Sequence, residues 1–241
     1  MKFKALLLAA GMGTRLRPLT FKTPKCLVEI NGTPLLGLWL QKLNNLGCDE
    51  VLINTHYLHE KVEDYLSKVS FSKMKIKMSY EEKLLGTAGT LIKNLDFFAN
   101  GNGVLIHADN FTTDNLLGFI ESHKSKPSDC LLTMLTFKTD NPSSCGIVEK
   151  DKSGRIIKFF EKSKEFRGYC ANGALYAFDK EFLIYLEKIP FYPYDFSNDI
   201  IPSLLGKIYS YHTIYDYLDI GNIVSYEKAI NIARNTKMIS S

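Results

Sequence analysis

The chain has 241 residues, 45% of them hydrophobic and 23% charged. That is the composition of an ordinary globular protein and excludes a disordered or fibrous one, and the length suits one large α/β domain or two small ones packed together. With 30 Lys and Arg against 26 Asp and Glu, the formal charge is +4, too mild to mark a nucleic-acid binder but compatible with anionic small substrates.

The cysteines, Cys26, Cys48, Cys130, Cys145 and Cys170, are odd in number and widely spaced. Without a Cys-x-x-Cys pair they do not read as a zinc ribbon or a thioredoxin-like site; reduced, mostly buried thiols in a cytoplasmic protein are expected. The apolar run Ala5–Ala10 is too short for a signal peptide and runs into a glycine loop. No apolar stretch approaches the roughly 20 residues of a membrane span.

In chain order, Phe3–Ala9 reads as a buried parallel strand because it is continuously apolar. Residues 10–33 read as loop. Pro34 is placed as the first residue of a helix that carries Leu35, Leu38, Trp39 and Leu43 on one side and is closed by Gly47. Strands are expected at Val51–Asn54, Lys75–Tyr80 and Gly103–His107, and helices at His59–Leu66 and Thr87–Phe98. This β-α-β-α-β-α-β alternation predicts a mostly parallel sheet covered by helices on both faces. Farther on, Asp114–His123 reads as a helix and Cys130–Thr136 as a strand. Gly146–Glu149 and Ile156–Glu161 flank Asp151-Lys152-Ser153-Gly154, a hairpin signal. A strand at Ala174–Phe178, helices at 179–187 and 197–205, a strand at Ile208–His212 and a helix from Asn222 to Arg234 complete the pattern. Residues 1–241 are read as a single domain with two functional halves, since no Pro/Gly/Ser-rich linker divides them.

The chemistry concentrates in Leu8-Ala9-Ala10-Gly11-Met12-Gly13-Thr14-Arg15-Leu16-Arg17-Pro18-Leu19-Thr20, followed by Lys22-Thr23-Pro24-Lys25. Glycines at a strand's end allow positive φ and close approach, and successive backbone N–H groups there form an anion-binding concavity. Arg15, Arg17 and Lys25 add positive charge suited to a triphosphate. The loop is not a dinucleotide fingerprint, because Leu16 stands at its third glycine, and it is not a Walker A loop, because no Gly-Lys-Ser/Thr follows at the required spacing.

The full run, with Leu85-Gly86-Thr87-Ala88-Gly89, Asp109, Glu161-Lys162, Asn172-Gly173 and Asp219-Ile220-Gly221 in the same order, resembles the sugar-1-phosphate nucleotidylyltransferases along nearly the whole chain. The resemblance implies a Rossmann-like three-layer α/β/α sandwich with a mostly parallel mixed central sheet. It implies a nucleotide-binding half over about 1–110, a sugar-phosphate-binding half over about 111–225 and a C-terminal helix at 222–234. It assigns catalysis to Arg15 and Lys25, and nucleotide binding to Leu8, Ala10, Gly11, Gly13, Thr14, Glu81, Gly86 and Thr87. Sugar phosphate would meet Glu161, Lys162, Asn172 and Gly173, and Mg²⁺ would sit on Asp109 and Asp219, since magnesium favours carboxylate oxygen. The implied partners are an NTP and a sugar 1-phosphate, in nucleotide-sugar and polysaccharide biosynthesis, with a homodimer allowed and no nucleic acid or membrane.

Departures from the family pattern are His107-Ala108 before Asp109, where small residues are usual, and Ser163 after Lys162, where Pro is usual. Packing is the favoured role for His107, ahead of a phosphate contact or a part in specificity. Glu81 and Glu82 precede Gly86; a carboxylate accepts from the N1–H and N2–H₂ of guanine and repels the carbonyls of uracil or thymine. GTP is therefore favoured, with mannose 1-phosphate or a heptose 1-phosphate, and Cys26 after Lys25 differs from the Gln typical of thymidylyl members. Cytidylyl, uridylyl and thymidylyl transfer remain alternatives. His56, His59, His123 and His212 show no metal spacing and read as structural or surface groups, and the aromatic run Phe191–Phe196 reads as packing for a loop over the sugar half. The chain ends soon after the 222–234 helix, so no appended β-helical acyltransferase domain is expected. Two rival classes are a nucleotide-sugar-dependent glycosyltransferase, for which the chain has no Asp-x-Asp, and a regulatory subunit, which would be expected to lose Lys25 or Asp109.

Overall fold

A computed structural model of the chain describes residues 2–99, 101–190 and 194–236. In chain order its strands are β1 (Lys4–Leu8), β2 (Glu29–Ile30), β3 (Thr33–Pro34), β4 (Glu50–Thr55), β5 (Lys75–Tyr80), β6 (Gly103–His107), β7 (Asn110–Thr112), β8 (Leu132–Lys138), β9 (Gly146–Lys150), β10 (Ile156–Glu161), β11 (Cys170–Phe178), β12 (Ile208–His212) and β13 (Tyr217–Asp219). The helices are α1 (Leu35–Asn45), α2 (His59–Ser67), α3 (Thr87–Lys93), α4 (Leu117–Lys124), α5 (Lys180–Glu187) and α6 (Ile223–Asn235). The class is α/β: a mixed sheet of mostly parallel strands with flanking helices. The chain divides into two compact units, one of Met1–Leu84, Ile106–Asn115 and Tyr215–Ser241, the other of Leu85–Leu105 and Leu116–Ile214.

In the first unit β1 and β4 pair in parallel with Leu6 opposite Leu52, and β4 pairs in parallel with β5. Leu6, Leu7, Val51 and Ile53 are buried, as a strand covered on both faces requires. The outer strand β5 carries Lys75 and Lys77, charges that guard an exposed edge. Helix α1 buries Leu35, Leu36, Leu38, Trp39, Leu40 and Leu43, and the Trp39 indole donates to the Asn110 carbonyl at 2.8 Å. Burial pushes the neighbouring Lys42 ammonium down to about 8, against the opposing charge of Asp114.

The second unit is built on β11, which is antiparallel to both β8 and β9; β10 lies antiparallel beyond β9, and β12 runs parallel to β8. Its core gathers Phe98, Phe119, Tyr176, Phe178, Phe182 and Phe196. Asp151 closes the β9–β10 hairpin by accepting from the Ser153 and Arg155 backbone N–H groups at 2.8 and 3.0 Å.

Several sequence expectations need correction. Residues 10–33 contain three 3₁₀ turns and the β2–β3 hairpin, whose Asn31-Gly32 turn has φ of 51° and 82° at its two residues. Pro34 caps α1 with extended ψ instead of opening it. The helix expected over 87–98 ends at Lys93 and gives way to a 3₁₀ turn at Leu95–Phe98. Helix α4 begins only at Leu117, after Leu116 in the left-handed region. The helix expected at 197–205 is a wide turn at Phe196–Ile200 followed by a 3₁₀ turn, because Pro202 lacks the N–H that an α-helix would use. The strand expected at Ala174–Phe178 begins already at Cys170, so Asn172 and Gly173 lie inside β11, where the register shifts between Asn172 and Tyr176. Of the aromatic run, Phe191, Tyr192 and Pro193 fall outside the described residues.

Candidate active site

The glycine loop leaves the end of β1 with each glycine in a different position. Gly13 has φ of 62°, and a Cβ there would lie 2.9 Å from Thr20 Cγ2 and 3.0 Å from Lys25 Cβ. The turn therefore needs glycine for its own packing, and the Thr20 hydroxyl secures it by donating to the Gly13 carbonyl at 2.7 Å. Gly11 has nothing within 4 Å of its Cβ position. Thr14 and Arg15 follow in a short 3₁₀ turn with exposed side chains.

The same unit gathers the charged residues expected from the sequence. Lys25 opens a 3₁₀ turn and is buried, and its ammonium donates to Asp109 Oδ2 at 2.6 Å and lies 3.6 Å from Asp219 Oδ1. The two aspartates, 110 residues apart in sequence, are brought together by a pair of strands too short for the sequence to announce. β7 and β13 run antiparallel with Asp219 opposite Asn110, and the Ile220 N–H donates to the Asp109 carbonyl at 3.0 Å. The Arg15 guanidinium reaches the same place: a Cβ on Gly221 would be 3.1 Å from Asp219 Oδ2 and 3.3 Å from an Arg15 terminal nitrogen.

The two carboxyls are held differently. Burial pushes Asp109 up, but Lys25, with His107, outweighs it and holds the group below the usual carboxylate range. Asp219 is raised, first by burial and then by the negative charge of Asp109, with Lys25 and Arg15 opposing. Lys25 contacts both carboxyls, and Arg15 approaches on the side of Asp219. Two neighbouring carboxylates offer the hard oxygen donors that an ion such as Mg²⁺ takes, with its remaining positions left to water and phosphate.

Glu81, at the end of β5, is not a solvated surface group. It is buried and accepts from Asn54 Nδ2 at 3.2 Å, while Asn54 Oδ1 accepts from the Ala9 N–H at 2.7 Å. Asn54 thus ties the start of the glycine loop to Glu81, a link the sequence does not signal because it needs the register of β1, β4 and β5. Glu82 is exposed.

Gly86 and Thr87 belong to the second unit. Gly86 has φ of 78°, and a Cβ there would sit 2.3 Å from the Tyr194 carbonyl oxygen. That oxygen caps α3 by accepting from the Ala88 and Gly89 N–H groups at 3.0 and 3.3 Å. The Thr87 hydroxyl donates to Asp195 Oδ2 at 3.2 Å and accepts from the Phe196 N–H at 2.7 Å.

Glu161 and Lys162 also lie in this unit. The Lys162 ammonium is 3.1 Å from Glu161 Oε1, and its backbone has φ of 46°, unusual for a residue with a side chain. Asn172 donates to the Tyr176 hydroxyl at 2.7 Å and accepts from the Ala174 N–H at 2.9 Å, next to Gly173. Burial pushes the Tyr176 phenol well above its usual range, and Ser197 hydrogen-bonds it.

The Nucleotidyl transferase family model matches residues 4–236, and the chain belongs to that family. It is 29% identical over 243 residues to a UTP–glucose-1-phosphate uridylyltransferase of Synechocystis sp., covering 94% of this chain and 62% of that protein. It is 31% identical over 230 residues to mannose-1-phosphate guanylyltransferase 1 of Arabidopsis thaliana, covering 92% and 62%. The chain thus spans a little under two thirds of the length of these curated relatives. In fold it is similar to a putative glucose-1-phosphate thymidylyltransferase of Bacillus anthracis, with a TM-score of 0.87, 23% identity and coverage of 99% and 97% of the two chains. It is similar also to HddC of Yersinia pseudotuberculosis, with a TM-score of 0.80, 24% identity and coverage of 95% and 98%. No helix among the described residues is long and apolar enough to cross a membrane.

Proposed function

We propose that this chain is a sugar-1-phosphate nucleotidylyltransferase, joining the nucleotidyl group of an NTP to a sugar 1-phosphate and releasing pyrophosphate. The observation that carries the reading is the convergence of Lys25, Arg15, Asp109 and Asp219 beside a glycine loop. In the reaction a phosphate oxygen of the sugar 1-phosphate attacks the α-phosphorus in line. The bond from the α-phosphorus to the bridging oxygen breaks, and pyrophosphate departs with the electron pair. The nucleophile is already ionised, so the protein need not supply a general base; alignment and charge neutralisation remain its tasks.

Lys25 is fixed by its aspartates and holds the α-phosphate. Arg15 is exposed on its short turn and neutralises the charge growing on the departing pyrophosphate. Leu8, Ala10, Gly11, Gly13 and Thr14 supply backbone to the phosphates, and the open space over Gly11 leaves room for their approach. Asp109 and Asp219 would hold Mg²⁺, which when bound supplies positive charge to phosphate oxygens. Glu161, Lys162, Asn172 and Gly173 take the sugar 1-phosphate. Residues 1–241 act as one catalytic domain, and the enzyme is read as cytoplasmic because its substrates are small and anionic.

GTP is favoured as the donor. Relatives named mannose-1-phosphate guanylyltransferase support that donor, whereas the Glu81 carboxylate, expected to meet the base, is buried against Asn54. Mannose 1-phosphate is the first acceptor, with a heptose 1-phosphate next. The experiment is a matrix of GTP, CTP, UTP and dTTP against several sugar 1-phosphates with Mg²⁺, read by product mass. A GDP-sugar as the main product is expected; a preference for UTP or dTTP sinks the guanine assignment, and no NDP-sugar from any pair sinks the reaction.

A further inference from the structure

The Asn172 amide is held one way round by its two contacts. Its Oδ1 accepts from the Ala174 N–H at 2.9 Å, and a backbone N–H can only donate. That forces Nδ2 toward the Tyr176 hydroxyl, 2.7 Å away. An amide has two N–H donors and two acceptor lone pairs, so each side of Asn172 keeps hydrogen-bonding capacity beyond these two contacts. Tyr176 is fully buried, and its ring stacks on Phe196 with centroids 4.4 Å apart and planes at 28°. The backbone of Phe196 is in turn tied to Thr87 by its N–H, and its ring meets Phe182 edge-on at 6.1 Å. The phenol is therefore fixed from behind by packing and has little freedom to follow Asn172 if that side chain moves.

We propose that Tyr176 is a positioning residue for the sugar 1-phosphate. Its hydroxyl sets the direction in which Asn172 presents its amide, and the stacked Phe196 holds Tyr176 in place. The inference rests on the reading of Asn172 as a sugar-facing group. Tyr176 is buried and does not itself meet the substrate; it acts through Asn172.

The test is Tyr176→Phe, which removes one oxygen and keeps the stacked ring, compared with Asn172→Ala and the double variant. Pyrophosphate release is measured with the NTP and the sugar 1-phosphate varied separately, with Tm alongside. Tyr176→Phe should raise KM for the sugar 1-phosphate by roughly five- to tenfold, the size of one lost hydrogen bond, and leave KM for the NTP within about twofold. In the Asn172→Ala background the same change should add almost nothing, since the contact is already gone. Equal rises in both KM values, or additive effects in the double variant, would mean a general packing role and overturn the proposal. If Asn172→Ala raises KM for the sugar 1-phosphate and Tyr176→Phe does not, the positioning role alone fails. If Asn172→Ala leaves that KM unchanged, the sugar-side assignment fails and this inference with it.

Discussion

Lys25 is buried between two carboxylates, and that changes what its removal does. Exposed, it would be a mobile phosphate ligand and its loss would affect turnover alone. In its actual place, Lys25→Ala removes the cation that hydrogen-bonds Asp109 and leaves that carboxylate beside Asp219. Turnover should fall by about 10²–10³, the usual result of removing one preorganised transition-state contact. Stability without Mg²⁺ should fall as well, and adding Mg²⁺ should restore part of it by neutralising the pair. Steady-state rates with melting curves, each with Mg²⁺ and with EDTA, check both halves. A variant with near-normal turnover removes Lys25 from the mechanism.

His123 makes a prediction of a different kind. It is buried in the second unit, its Nδ1 2.9 Å from Thr133 Oγ1. Burial, helped by Lys126 and opposed by Asp179 and a backbone contact at Phe178, lowers it from 6.5 to about 4. The folded protein therefore holds the ring neutral where the unfolded chain would protonate it. Between about pH 6.5 and pH 4 the unfolded state binds more protons, so stability falls as the pH falls, by about 3 kcal/mol in all. Unfolding free energies measured across that range should decline in the wild type and decline less in His123→Asn. Equal slopes would assign the acid sensitivity to other groups.

At the scale of elements, α3 and the turn before it form a joint that depends on Gly86. Its φ of 78°, and the 2.3 Å that would separate a Cβ there from the Tyr194 oxygen, leave Gly86→Ala no comfortable geometry. Either the helix start moves or Tyr194 gives up the N–H groups of Ala88 and Gly89. The cost should be about 1–3 kcal/mol or more, seen as a lower denaturant midpoint with an unchanged m-value. A substitution without effect would show that the joint yields easily. The sequence made this glycine visible through its motif, but it could not reveal what required it, because the partner is a carbonyl more than a hundred residues away. Long periodic segments such as β1, α1 and β5 were legible for the converse reason: their burial pattern is local. β7 and β13 are three residues each and carry no period, yet they bring Asp109 and Asp219 together. The bulge in β11 was hidden similarly, since Asn172-Gly173 reads as a turn until a neighbouring strand fixes its register.

For the whole molecule the decisive feature is how the chain is divided. It leaves the first unit after Leu84, returns at Ile106, leaves again after Asn115 and returns at Tyr215. The first unit is therefore completed by the last stretch of chain, which carries β13, Asp219 and α6. That helix starts with a capping box between Asn222 and Ser225, and its Tyr226 hydroxyl donates to the Glu29 carbonyl at 2.8 Å. A fragment ending at Ile214 keeps every residue of the second unit but deprives β7 of its strand partner and Asp109 of its companion carboxylate. For the full chain, NTP with Mg²⁺ at about a hundred times Kd should stabilise the folded state by about 2.7 kcal/mol. At about 2–4 °C per kcal/mol for a protein of this size, that is a rise in Tm of roughly 5–10 °C. The fragment should retain a cooperative transition from its second unit and show no such rise. Calorimetric scans of both proteins with and without GTP and Mg²⁺ make the comparison, and an equal rise in the fragment would remove Asp219 and the C-terminal stretch from nucleotide binding.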